Sequence, residues 1–194
     1  MKEFSIIIGL ILSSIVVGQN KNIYFGGGCF WCVEVVFDDL KGVEEAESGY
    51  AGGRTWNPTY KEISYGDTGH AEVVKVTYDP SVISLDQLLE VFWYMHDPTT
   101  LNRQGADIGT QYRSIVLYEE DKEKEIIEKS KAKWEQSGIW DGNYTTEITK
   151  LKKYYPAEEY HQNYYQNNTS QPYCSYTIAP KIEKFRKRFK NWLK

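Results

Sequence analysis

Gly26-Gly27-Gly28-Cys29-Phe30-Trp31-Cys32-Val33-Glu34 sets a cysteine at the end of a glycine run, where an apolar helical pattern begins. Ile23, Tyr24 and Phe25 just before it read as a short strand, and the glycines permit a tight turn out of that strand. Beyond Cys29, the apolar residues Phe30, Val33, Phe37 and Leu40 keep the spacing of one helix face. Cys29 is therefore expected at a helix N-terminus, among unpaired N–H groups and the positive end of the helix dipole. That setting predicts a lowered thiol pKa and a nucleophile. A small buried hydrophobe is the competing reading for an isolated cysteine, and the glycines with Phe30-Trp31 weigh against it.

Outward from this stretch, strand-like and helical segments alternate without an internal repeat. Glu44 to Tyr50 reads as a strand, and Ala51 to Thr59 as a loop rich in Gly, Asn and Pro. Glu72 to Tyr78 is the clearest strand, with Val74, Val76 and Tyr78 alternating against Val73, Lys75 and Thr77. Ser84 and Gln87 form a capping box before Leu88, Leu89, Phe92 and Met95, a helix that stops at Asp97-Pro98. A polar loop, Thr99 to Thr110, leads to a strand over Tyr112 to Tyr118. Glu119 to Gln136 is an exposed helix with Ile126, Ile127 and Trp134 inward, and Thr145 to Lys150 is a strand. Tyr154 to Tyr176 has little periodicity and reads as an ordered wrapping loop. In the basic C-terminal segment Ile182, Phe185, Phe189 and Trp192 make an apolar helix face. Docking on the domain, with the basic face in water, explains it more economically than nucleic acid or a membrane surface.

Composition bounds the class. The 194 residues suit one domain, and 41% are hydrophobic, enough for a real core. A net charge of −4 gives no pull toward nucleic acid. Phe4 to Gly18 is uncharged and mostly apolar, too short for a comfortable span of about 20 residues. Residues 1–20 read as a signal peptide cut ahead of Gln19, which predicts an exported periplasmic or secreted protein. An uncleaved anchor is the alternative. The fold is then expected in residues 21–194.

Several polar residues could partner Cys29. Gly66-Asp67-Thr68-Gly69-His70-Ala71-Glu72 brings a carboxylate to the mouth of the clearest strand, where partial desolvation would raise its pKa. Tyr60 and Tyr112 lie in loops beside strands, each able to donate one hydrogen bond while its ring walls a pocket. Asp107 could orient such a phenol or simply turn the chain.

Together these stretches resemble the A-type peptide-methionine (S)-S-oxide reductases, from about Asn22 to the C-terminal helix. The resemblance is carried by Gly27-Gly28-Cys29-Phe30-Trp31 with Glu34, Gly49-Tyr50-Ala51-Gly52-Gly53, and Asn57-Pro58-Thr59-Tyr60. It continues in Gly66 to Glu72, Phe92 to Pro98, Gly109-Thr110-Gln111-Tyr112-Arg113-Ser114 and Gln171-Pro172-Tyr173-Cys174. It implies an α+β fold: a two-layer sandwich with a mixed sheet, flanking helices and a long C-terminal wrapping segment. It implies that Cys29 attacks the sulfoxide sulfur while Glu72 gives a proton to the oxygen held by Tyr60 and Tyr112. Asp107 would support the tyrosine side, and Phe30 and Trp31 would cradle the methyl group. The sulfenic acid left on Cys29 would be resolved by a second thiol, and the disulfide reduced by thioredoxin or a similar dithiol. Oxidised proteins and free methionine sulfoxide are the implied substrates, and the chemistry calls for no metal, flavin or nicotinamide.

The resolving thiol stays open. Helix spacing favours Cys32, and the resemblance favours Cys174 on the wrapping loop. Three other classes compete: a Cys29-x-x-Cys32 thiol-disulfide oxidoreductase, a hydrolase pairing Cys29 with His70 or His96, and a zinc module of the three cysteines and a histidine.

Overall fold

A computed structural model describes residues 19–194, so the leader expected over residues 1–20 lies outside the described residues except at Gln19 and Asn20. The strands are β1 (Lys21–Gly26), β2 (Val43–Ala51), β3 (Ala71–Tyr78), β4 (Arg103–Gln104), β5 (Asp107–Ile108), β6 (Ile115–Tyr118), β7 (Glu147–Lys150) and β8 (Tyr154–Pro156). The helices are α1 (Phe30–Asp38), α2 (Tyr60–Ser64), α3 (Leu85–Met95), α4 (Asp121–Gln136), α5 (Tyr164–Asn167) and α6 (Ala179–Arg188).

The alternation read from the sequence sets the two sheet faces. Ile23, Phe25, Val74, Val76, Tyr78, Val116 and Tyr118 turn into the main core, and Tyr24, Val73, Ile115 and Leu117 to the reverse face. The sheet runs β7-β6-β1-β3-β2-β8. Its pairs are antiparallel except β6 with β7, which are parallel and joined through α4. The sheet is therefore mixed, as expected, and helices flank it.

The core lies where α1 and α3 cover β1 and β3. Phe25 stacks between Phe37 of α1 and Phe92 of α3, ring centroids 4.7 and 4.8 Å away. Each of these rings is fully buried, and burying one contributes about 1.5–3 kcal/mol. Trp93 is also fully buried, and its indole N–H donates to Ser130 Oγ at 3.0 Å, so no donor is stranded. At the C-terminus Ile182, Phe185 and Phe189 are buried, which supports the docked-helix reading. Among the described residues no helix is long and apolar enough to cross a membrane.

The structure departs from the expected elements in three places. Tyr112 closes a 3-10 turn, Thr110–Tyr112, and the strand starts only at Ile115. The polar loop holds the two-residue hairpin β4–β5, too short to leave a periodic signal. The wrapping segment is partly regular: β8 pairs with Gly49 to Ala51 at the sheet edge, α5 follows, and a π-helical turn, Cys174–Ile178, enters α6.

The capping box read at Ser84 and Gln87 is formed at α3, and others join Thr59 with Glu62 at α2 and Glu120 with Glu123 at α4. Ser84→Ala should lower stability by about 1 kcal/mol, the usual worth of such a cap. Urea unfolding would show this as a lower midpoint at unchanged slope.

Candidate active site

The glycine run brings two backbones together. A Cβ on Gly26 would lie 2.8 Å from the carbonyl oxygen of Glu72, so only glycine lets β1 approach β3 this closely. Gly28 takes φ +96°, a conformation glycine adopts without strain. Cys29 then becomes the N-cap residue of α1, and its side chain makes no capping bond. Phe30 N–H, which the helix leaves unpaired, donates to Glu72 Oε2 at 3.0 Å.

Around this junction lies a cavity of about 210 Å³ lined by Cys29, Phe30, Trp31, Tyr60, Glu72, Asp107, Tyr112 and Tyr173. All seven residues expected to hold or convert the substrate meet there. Tyr60 opens α2 rather than sitting in a loop, and its N–H donates to Glu158 Oε1 at 2.9 Å. Asp107 supports a different tyrosine from those expected: Tyr173 Oη donates to its Oδ2 at 2.9 Å. Trp31 is stacked under Tyr164 at 3.7 Å, and its indole N–H donates to His161 Nδ1 at 3.3 Å. A larger cleft of about 700 Å³, lined by glycines and charged residues such as Arg54, Asp67 and Arg113, has no cysteine in its lining.

The cavity holds its protons. Burial pushes the Glu72 carboxyl well above the usual range, and a negative Cys29 beside it adds to this, against the Phe30 N–H that favours the charge. Burial and Glu72 push Tyr60 up to about 12 and move Tyr112 in the same direction. The lowered pKa expected at Cys29 is not found. Burial pushes this thiol up and its contact with Cys32 adds to that, outweighing the Trp31 N–H and the Tyr173 hydroxyl. Cys32 moves down, chiefly because Cys29 donates a hydrogen bond to it, and Lys181 helps.

Cys32 and Cys174 do not line the cavity. They lie behind Cys29 in an apolar cluster with Val35, Ile178 and Ile182, and all three cysteines are free. Neither histidine of the hydrolase reading reaches the cavity. His70 accepts from Gly53 N–H at 3.2 Å and bonds the Thr55 carbonyl at 2.9 Å. His96 spans the Phe92 carbonyl and Ser114 Oγ, and burial pulls its pKa down to about 4. Among the described residues no three His, Cys, Asp or Glu side chains are arranged to hold a metal ion.

Sequence reasoning missed Tyr173, His161, Tyr164 and Glu158 as wall and support of the site. All four lie in the wrapping segment beside other Tyr, Asn and Gln residues, where no period separates inward from outward positions. Thr59-x-x-Glu62 was a usable sign that a helix starts at Tyr60.

The family profile described as peptide methionine sulfoxide reductase matches residues 21–193. The peptide methionine sulfoxide reductase MsrA of Trichodesmium erythraeum is 54% identical over 86% of this chain and 94% of its own length. Its counterpart in Natronomonas pharaonis is 53% identical over 84% and 92%. Among solved structures, reduced Mxr1 from Saccharomyces cerevisiae superposes with a TM-score of 0.76 at 36% identity, covering 80% of this chain and 90% of Mxr1. Mxr1 in complex with Trx2 matches with a TM-score of 0.54 at 25% identity, over 78% and 91%. Nearly the whole described chain is spanned by these matches, and it belongs to the peptide methionine sulfoxide reductase family.

Proposed function

We propose that this chain reduces methionine sulfoxide, in proteins and as the free amino acid, and takes only the S epimer. The observation that carries the reading is a wholly buried carboxylic acid, Glu72, sharing one small cavity with Cys29 and the phenols of Tyr60 and Tyr112. A protonated acid beside a thiol is what a sulfoxide needs, because oxide leaves sulfur only once it is protonated.

In this mechanism the Cys29 sulfur bonds to the sulfoxide sulfur as Glu72 passes its proton to the oxygen, and the proton that leaves the Cys29 thiol returns Glu72 to its acid form. Tyr60 and Tyr112 donate to that oxygen while negative charge gathers on it. The polarised S–O bond brings partial positive charge to Cys29, which favours the thiolate that burial disfavours in the empty site. Phe30 and Trp31 hold the methyl group by area and sulfur–aromatic contact. The hydroxyl then moves to Cys29, and methionine leaves with the electron pair of the broken bond. Cys29 remains as a sulfenic acid. A second thiol displaces water from it to give a disulfide, and a thioredoxin-like dithiol reduces that disulfide. The yeast relative solved with Trx2 supports such a partner.

Cys174 is our choice of resolving thiol, with Cys32 its competitor. Closing a ring between Cys29 and Cys32 would strain the first turn of α1, whereas Cys174 arrives on a separate segment. The contact between Cys29 and Cys32 favours a second reading, a general thiol-disulfide oxidoreductase. That reading leaves Glu72 and the phenols without work, and faster insulin reduction than sulfoxide reduction would bring it forward. The uncharged stretch Phe4 to Gly18 supports export, and the uncut chain in a cytosolic fraction would end that part of the proposal.

With separated epimers of a blocked methionine sulfoxide and dithiothreitol, the S form should be consumed and the R form left. Equal turnover of both would refute the oxygen clamp, and Cys29→Ser should be inactive. Glu72→Gln should slow the single-turnover release of methionine by about 10²–10⁴-fold. Tyr60→Phe and Tyr112→Phe should each cost less than the pair together. Because the Glu72 pKa is raised on folding, the wild type loses stability as pH climbs above the ordinary carboxyl value. Glu72→Gln removes that loss and should melt higher than wild type at neutral pH, so lower activity with a higher Tm identifies a proton donor. Peptide mapping after one turnover should find the disulfide lost in Cys174→Ser and kept in Cys32→Ser. The reverse pattern would make Cys32 the resolver.

A further inference from the structure

Glu34 has no task in the mechanism above, yet it is a carboxyl buried to 1% exposure. It stands three residues after Trp31 on α1, so both side chains lie on one face of the helix. That face meets a corner of the wrapping segment. Asn163 turns the corner in the left-handed region, φ 53°, and its N–H donates to Glu34 Oε1 at 3.0 Å. The next residue, Tyr164, lies flat on Trp31, and the chain runs on from there to Cys174. Gln162, just before the corner, bonds both the N–H and the carbonyl of Ser48 at 2.9 Å. On the other side of the carboxyl, Glu34 Oε2 and Ser48 Oγ are each buried without a hydrogen-bond partner. A protonated Oε2 that turned to donate to Ser48 Oγ would satisfy both.

We propose that Glu34 is a positioning residue for the resolving step, a buried acid that latches the Asn163 corner when neutral and loosens it when ionised. The inference rests on the reading of Cys174 as the resolving thiol. With all three thiols free, Cys174 must move to bond Cys29, and the Asn163 corner is the anchor that limits that movement.

The surrounding charges give the sense of the switch. Asp38 lies one turn further along α1, and with Glu45 and Glu47 of β2 and Glu159 of the wrapping segment it lines an acidic hollow that Asn163 also borders. Lys75 of β3 is engaged with Glu45 and Glu47, and Arg186 of α6 with Asp39. Burial lowers the pKa of His161 on the same stretch, which keeps it neutral near pH 7. Burial pushes the Glu34 carboxyl up from 4.5 to about 7, with help from Asp38 and against the Asn163 N–H, which favours the charge but does not offset the lost water. An opened corner would let water solvate the carboxylate and return it toward 4.5, so the closed corner holds the proton more tightly. Closure is then strongest below about pH 4.5, weakens as pH rises to about 7, and is constant above that.

Hydrogen exchange on the reduced, substrate-free full chain tests the latch without reference to catalysis. Protection factors of the amides in residues 161–167 should fall by more than about tenfold between pH 5 and pH 7 in the wild type. In Glu34→Gln, which can keep the Asn163 bond and carries no charge, they should stay flat at the wild-type pH 5 level. Ser48→Ala removes a donor to the charged form and should carry the fall to higher pH. After one turnover with the S-sulfoxide, Glu34→Gln should form its disulfide about as fast as wild type at pH 5 and about tenfold more slowly at pH 7. A Glu34→Gln chain whose protection falls as in the wild type would overturn the proposal. So would equal disulfide rates at pH 7. If the wild type releases no methionine, the functional reading fails, and the exchange measurement still decides the latch.

Discussion

The hydrogen bond from Phe30 N–H to Glu72 Oε2 is the constraint on which the site depends. It joins the first residue of a helix to the second residue of a strand that lies far away in sequence. Both groups need it: the N–H belongs to a helix end with no internal partner, and the carboxyl is cut off from water. The bond fixes where α1 begins, and so sets Cys29 one residue ahead of the helix, facing the cavity. Gly26 makes it possible, since any side chain there would force β1 away from the Glu72 backbone. The glycine run, the cysteine and the glutamate form one structural unit though the chain separates them.

From that unit follows the electrostatic character of the cavity. Glu72, Cys29, Tyr60 and Tyr112 are each moved upward first by burial and then by one another. Within a dry site of this kind, one negative charge raises the cost of the next. The cavity therefore favours protonated groups over a resident thiolate. This suits chemistry in which a proton must reach the substrate oxygen in the same event that forms the sulfur–sulfur bond. It also explains why the helix N-terminus is not enough to lower the Cys29 pKa: the Trp31 N–H and the Tyr173 hydroxyl are outweighed by burial and the contact with Cys32.

Much of the fold was legible because its signals are local. The alternation of Val74, Val76 and Tyr78, the capping box of Ser84 and Gln87, and the apolar face of α1 each follow from a period or a spacing within a few residues. The cavity residues were legible as a set only through the resemblance, since with sixteen tyrosines no single phenol stands out. What stayed hidden depends on contacts across more than a hundred residues. Trp31 with His161, Tyr50 with Glu158 and Glu34 with Asn163 are settled by how the wrapping segment lies over α1 and β2. Its strand β8 is three residues long and borrows its partners from the edge of the sheet. No window of sequence that short carries a period.

Glu34 and Glu72 separate what the fold needs from what the site needs. At Glu34 a Gln could accept from Asn163 and donate to Ser48, and it would carry no charge. Holding a Glu there, with its pKa moved from 4.5 to about 7, costs on the order of 3 kcal/mol at neutral pH. A fold of this size has roughly 5–15 kcal/mol in all. Packing alone gives no reason to accept that cost at one position, and at Glu72, equally cut off from water, the same argument applies. An acid that could be an amide without losing a hydrogen bond is there for its proton. At Glu72 the proton goes to the substrate. At Glu34 it stays with the protein, and the segment whose position it governs is the one that brings Cys174 to the cavity.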